Sequence, residues 1–421
     1  MKQLLVLLLF FASLVKGGSS EGVIKSIIIS GNSITKEEVI HRELLFQVGD
    51  TLTDSLLTAS RNRLQNLFLF NRVEIFKIPQ DESVTLLIDV TERLYIYPYP
   101  QFQIEDRDWG KLTYGFGFAH VNFRGRNEKL YGEANFGFKP GFKLGYFNPW
   151  IGKDLHLTTG LYARRYISSH RTLDFDEKHF NVDFLFGKYW TLQFYSTLSV
   201  SFDRIRVPDY WSPFMESGTS TDEIASVIFQ TTLDTRDVYA YPKKGVSYQF
   251  TLMQHGILGT DSDYSQYRID LKQYFTVSEI ILASRLHLLQ TLGDLPFYRT
   301  IYFGFNERVR GRFNDVYEGK HRFLGNAEIR FPLMAERYFD LPSAIIPESS
   351  TQDLKFGLYG ALFADAGIVW MHEHQFGVNN FVSGYGTALH FLLPYVEVAR
   401  LELAFDTQYK AQLIFEVGII F

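Results

Sequence analysis

The chain is 421 residues long and 46% apolar, with 42 Lys+Arg against 47 Asp+Glu and a formal net charge of −5. Its 39 Phe, 25 Tyr and 5 Trp bring aromatics to 16%, beside only 21% charged residues, which excludes general disorder. The acidic balance argues against nucleic acid as a partner, and the absence of cysteine removes disulfides, thiolate metal sites and cysteine nucleophiles.

Lys2 is followed by the apolar run Leu4–Val15 and then by Gly17, Gly18, Ser19 and Ser20. A membrane-spanning helix needs about 20 apolar residues, so residues 1–20 read as a secretory signal. From Val23 to about Arg93 strand and helix patterns mix. Val23–Ile29 is strand-like and Gly31-Asn32 ends it. Thr35, with Glu38 three residues on, predicts a capping box opening a helix to about Phe46. A second helix is expected from Thr53 to Phe68, with Leu57, Leu64 and Phe68 on one face. Two strands follow, Val73–Ile78 and Val84–Val90, joined by Pro79-Gln80-Asp81-Glu82. This β-α-α-β-β order over residues 22–93, opening on I-x-x-I-x-I-x-G-N, resembles a POTRA domain, the periplasmic polypeptide-binding module of outer-membrane translocases.

Over residues 94–421 the helical period disappears, and segments of about ten residues alternate between apolar and polar or small side chains. Leu112, Tyr114, Phe116 and Phe118 share one face; Leu401, Leu403 and Phe405 oppose Arg400, Glu402 and Asp406. Membrane strands need about 9–11 residues each, and closing a sheet leaves no unpaired edge in lipid. The expected fold is therefore a small α+β domain followed by an all-β transmembrane barrel of sixteen antiparallel strands. They start near 94, 112, 129, 141, 154, 179, 191, 224, 246, 264, 280, 322, 355, 382, 396 and 411. The even count returns both ends to the periplasm. It makes residues 291–321 the longest external loop, and it leaves Pro332–Asp353 long for a periplasmic turn.

The first barrel strand contains Pro98 and Pro100, which have no N–H to donate and share one backbone edge. That edge is expected to face the last strand, leaving a lateral seam short of hydrogen bonds. On the last strand Leu413, Phe415, Val417, Ile419 and Phe421 fall on one face.

Several short patterns carry a family resemblance. Leu233-Asp234-Thr235-Arg236-Asp237, followed by Pro242 and Gly245, is similar to the D-T-R-D…P-x-x-G signature of BamA-type outer-membrane assembly proteins. Val309-Arg310-Gly311 resembles the V-R-G-[FY] of their sixth external loop, with Arg312 where the family has an aromatic and Phe313 one place later. Gly325-Asn326-Ala327-Glu328 and Phe363-Ala364-Asp365-Ala366-Gly367 resemble the strands that receive that loop. Alternation puts Glu328 and Asp365 in the lumen on neighbouring strands; the resemblance implies that Arg310, folded inward with its loop rather than left in solvent, would bond both with its five donors. One POTRA-like unit precedes the barrel, where well-known assembly factors carry several.

The resemblance implies an outer-membrane factor that receives unfolded outer-membrane or secreted polypeptides on its POTRA domain. It passes them through or beside the barrel at the seam, by strand addition and without covalent chemistry. Its other partners would be the lipid bilayer and periplasmic chaperones or accessory lipoproteins. The rival reading is an export pore of the two-partner-secretion type. No enzyme motif stands out, no cofactor is implied, and His372-Glu373-His374 reads as a solvated loop rather than a metal site.

Overall fold

The computed structural model describes residues 22–80, 83–104, 109–152, 155–170, 173–303, 307–312, 315, 317–342, 351–418 and 421. The signal at 1–20, Asp81-Glu82 of the first turn, Phe313 and Ile419 lie outside the described residues.

The N-terminal unit contains β1 (Val23–Ser30), α1 (Glu37–His41), α2 (Asp54–Asn66), β2 (Phe70–Gln80) and β3 (Ser83–Glu92). Its sheet runs β1-β3-β2, with β1 parallel and β2 antiparallel to β3, so β2 is an edge strand beside α2. Thr53 caps α2 by accepting the Leu56 N–H at 3.4 Å. Leu57 and Leu64 of that helix pack with Ile24, Leu86 and Ile88 into the unit's core.

The first helix corrects the expectation. The capping box does not form, and α1 is one short turn behind Lys36. The Thr35 hydroxyl is recruited elsewhere, lying 2.8 Å from the Tyr95 hydroxyl and accepting from Asn122 Nδ2 at 3.0 Å. Glu92 does the capping from β3: its carboxylate accepts the N–H groups of Ile34 (3.0 Å) and Thr35 (2.6 Å) and the Ser33 hydroxyl (2.8 Å).

All sixteen barrel strands are present in one antiparallel sheet. They are β4 (Ile96–Ile104), β5 (Leu112–Phe123), β6 (Glu128–Gly137), β7 (Gly141–Ile151), β8 (Leu157–Ser169), β9 (Asp176–Tyr189), β10 (Phe194–Arg206) and β11 (Thr221–Asp234). Next come β12 (Gly245–His255), β13 (Tyr264–Val277) and β14 (Ile280–Gly293). The two-residue strands β15 (Ile301–Tyr302) and β16 (Glu318–Gly319) pair within the long external loop. The wall resumes with β17 (His321–Phe339), β18 (Leu354–Trp370), β19 (Val382–Leu393), β20 (Glu397–Asp406) and β21 (Ala411–Val417). The long Pro332–Asp353 connection is resolved by continuation rather than by a miscount. β17 runs on to Phe339, absorbing Pro332 through register shifts between Pro332 and Arg337.

Phe116, Phe118, Phe184, Phe186, Leu413 and Phe415 stand exposed on the outer face. In water such a band would be an association hazard; around a barrel it is the lipid contact.

The N-terminal unit is tied to the lower turns of the barrel. Lys36 N–H donates to Gly125 O at 2.9 Å. Asn66 of α2 accepts the Tyr239 N–H at 2.8 Å and donates to Asp237 O at 3.1 Å. Arg72 pairs with Asp353 at 2.8 Å, and Arg93 with Glu397 at 2.9 Å. These contacts reach the β5–β6, β11–β12, β17–β18 and β19–β20 turns, so the domain lies across the mouth of the barrel.

Candidate functional site

Two features stand out inside this frame: a loop clamped to the lumen wall, and a seam. The loop segment 307–312 descends between β14 and β17 and brings Arg310 to full burial. Nε and Nη2 of Arg310 donate to the two Asp365 oxygens at 2.7 and 2.8 Å, and its backbone N–H donates to Oδ2 at 3.1 Å. Nη1 donates to Glu328 Oε1 at 2.5 Å and to Glu402 Oε1 at 3.3 Å. The guanidinium also lies 3.6 Å from the centre of the Phe363 ring, a cation–π contact in a dry setting.

Glycine makes the approach possible. A Cβ on Gly384 of β19 would fall 1.8 Å from Arg310 O, and one on Gly311 would fall 2.6 Å from Phe405 O. Gly311 also sits at φ +91°, a conformation that costs other residues energy.

The expected trio of Arg310, Glu328 and Asp365 is thus brought together, within a larger network. Arg330 Nε donates to the second Glu328 oxygen at 2.7 Å, and Arg400 Nη1 to Glu402 Oε1 at 2.6 Å. Arg308 pairs with Glu416. Four guanidiniums (Arg308, Arg310, Arg330, Arg400) therefore meet four carboxylates (Glu328, Asp365, Glu402, Glu416). Alternation had placed Arg400 and Glu402 on the polar face, but nothing in a linear sequence pairs them with a loop 92 residues before Glu402. Arg312, in place of the family's aromatic, donates to Thr407 Oγ1 at 2.5 Å and lies 3.8 Å from Asp406.

Glu328, His390 and Glu402 bring ligand-type atoms within 4.8 Å of one another. His390 Nε2 and Glu402 Oε2 are buried without a hydrogen-bond partner. Three arginines already hold the two carboxylates, so a divalent cation there would face like charge, and the set is a poor metal centre.

The D-T-R-D turn joins β11 to β12. Arg236 binds Asp234 through two nitrogens, Nε at 3.0 Å and Nη2 at 2.6 Å. Asp237 Oδ1 accepts the N–H groups of Val238, Lys243 and Lys244. Gly245, at φ +99°, leaves no room for a Cβ, which would stand 2.3 Å from Thr235 O. Pro242 follows the buried Tyr241, whose hydroxyl lies 3.0 Å from His390 Nδ1. The motif therefore builds a rigid turn, and its Asp237 carbonyl receives Asn66 from α2.

The seam lies between β4 and β21. Each pairs with one neighbour only, β5 and β20, and no ladder joins them among the described residues. Tyr95 O accepts the Val121 N–H at 2.9 Å, so odd-numbered residues of this segment point their backbone groups at β5. Pro98 and Pro100, being even-numbered, point theirs at the free edge. On β21, Leu413, Phe415 and Val417 face outward as expected, but Phe421 does not. Gly418 ends the strand at φ +97°, and Phe421 is buried beside Tyr274 and Ala283, 5.4 Å from the Arg330 guanidinium. A period-two reading cannot see a turn whose residue is free to adopt positive φ.

These features define a class: a sixteen-stranded outer-membrane barrel with a POTRA unit below and a loop clamped inside. The Omp85 superfamily domain model matches residues 122–421, and the POTRA model, described as surface antigen variable number repeat, matches residues 22–93. The chain belongs to the Omp85 superfamily and is a bacterial outer-membrane protein with its POTRA domain in the periplasm. The outer membrane protein assembly factor BamA of Neorickettsia risticii (strain Illinois) is 25% identical over 354 residues, covering 78% of this chain and 47% of that protein. BamA of Nitratidesulfovibrio vulgaris (strain Hildenborough) is 23% identical over 314 residues, 68% of this chain and 37% of that protein. The chain thus spans about half or less of the curated relatives it matches. Among solved structures, BamA from Haemophilus ducreyi lacking POTRA domains 1-3 aligns with a TM-score of 0.55 at 15% identity, covering 94% of this chain and 84% of that one. CdiB from Acinetobacter baumannii aligns at 0.51 and 12% identity, covering 94% and 73%. At these identities the likeness is one of fold.

Proposed function

We infer that the protein inserts other polypeptides into the outer membrane: clients bind the POTRA domain and enter the bilayer at the β4–β21 seam. The seam, which no ladder closes among the described residues, carries this reading. Two prolines strip donors from its β4 edge, and open backbone groups in lipid seek a strand to pair with. The β2 edge beside α2 offers the same chemistry below, backbone bonds plus apolar contact with the exposed Phe76 and Ile78. Two relatives named as outer membrane protein assembly factors point the same way. Energy would come from burying the client's apolar face and satisfying its backbone, so the Arg310 network serves as a lock on the loop and no residue acts as a catalyst.

Export through the lumen is the second reading, and the segment 307–312, buried inside the barrel and bonded to its wall through Arg310, weighs against it. Vesicles containing the protein, given an unfolded barrel client, separate the two. Insertion yields a folded, heat-modifiable client in the bilayer. Export yields a protease-protected chain inside the vesicle, which would overturn the inference.

A further inference from the structure

The loop grips the wall at more places than Arg310, and one of them is the seam strand. At Glu307 the loop accepts Nη1 and Nη2 of Arg285 on β14, each at 2.9 Å. Arg285 is held in turn by both oxygens of Asp270 on β13, at 2.8 and 2.7 Å. Three residues on, Arg310 is fixed to β17, β18 and β20 through Glu328, Asp365 and Glu402. These strands are each paired on both sides.

Between the two anchors Arg308 reaches Glu416, which stands on β21. The Arg308 side chain is 5% exposed and that of Glu416 15%, so the pair is sheltered from water. The other Glu416 oxygen accepts Arg400 Nη2 at 2.7 Å. β21 has seven residues, one neighbour and an outer face of Leu413, Phe415 and Val417. Its inward face is Gln412, Ile414 and Glu416, of which only Glu416 is charged.

We propose that Arg308 is a positioning residue coupling the clamped loop to the seam. With segment 307–312 seated, Glu416 is pulled inward and β21 is held to the wall; withdrawal of the loop frees β21 to swing. The proposal rests on the reading that clients use this seam.

The native chain lacks cysteine, so spin labels on cysteines at Ile96 and Phe415 report the seam alone. Arg308→Gln should populate distances longer by at least one strand-to-strand spacing, about 4.8 Å. Arg308→Lys, which keeps the charge, should restore most of the short population. In a Glu416→Gln background, adding Arg308→Gln should change nothing further, the non-additivity expected of residues that act as a pair. Arg308 is on a loop, so its replacement leaves the strand pattern intact, and heat-modifiable mobility verifies the barrel. Unchanged distances in Arg308→Gln, or additive effects of the two changes, overturn the coupling. If the distances shift as described while client insertion stays at the parent rate, the coupling stands and the insertion reading fails.

Discussion

Arg310 is a cation at zero exposure, held by carboxylates and by the face of Phe363. Replacing it by Ala strands Asp365 and leaves Glu328 with Arg330 alone. Removing one member of such a buried group costs about 3–5 kcal/mol. The Arg310→Ala barrel should still form, since the ladders are untouched, but should unfold at lower temperature on a heat-modifiability gel. Arg310→Lys should rescue little, because a single ammonium cannot serve Asp365 bidentately while bonding Glu328. A second residue-scale test concerns Glu92. Burial disfavours its charge, yet hydrogen bonds from Thr35, Ser33 and Ile34 prevail and hold its carboxyl below the ordinary range. The sign follows: stabilisation is complete above the unfolded pKa, about 4.3, and is lost as pH falls through the lower folded value. Hydrogen exchange at Ile34 and Thr35, corrected for intrinsic rates, should quicken in that acid window. In Glu92→Gln it should be fast throughout.

At the scale of elements, the strands were legible because lipid on one side and a polar lumen on the other enforce a period of two. The faces carrying Glu328 and Asp365 followed from that period alone. The helix after Thr35 was legible but its cap and length were not, because Thr35 was drawn to Tyr95 and Asn122, partners at least 60 positions away. The C-terminal turn escaped for a local reason, positive φ at Gly418, and with it the true place of Phe421. The space around Gly418 is open, so a side chain there meets strain and no clash. Gly418→Val should therefore straighten the end and withdraw residue 421 from its pocket. With Phe421→Cys as reporter, thiol labelling should be slow in the otherwise native chain and fast when Gly418→Val is added. Equal labelling would mean that Gly418 does not set the turn.

For the whole molecule, one domain lies across the periplasmic mouth, segment 307–312 is bonded to the inner wall, and the discontinuity in the wall among the described residues is the seam. The sequence could suggest the seam from Pro98 and Pro100. The wider network could not be read, because the loop carrying Arg308 and Arg310 meets Glu402 and Glu416, on the neighbouring strands β20 and β21, only after the sheet has curled. The central claim, that clients enter the membrane between β4 and β21, is tested most directly by closing that route. Ile96 and Val417 lie at the periplasmic ends of the two strands, in a chain without native cysteine. A disulfide between cysteines at these positions should stop client insertion into vesicles, and reduction should restore it on the same sample. Insertion at the parent rate with the disulfide fully formed would contradict the account.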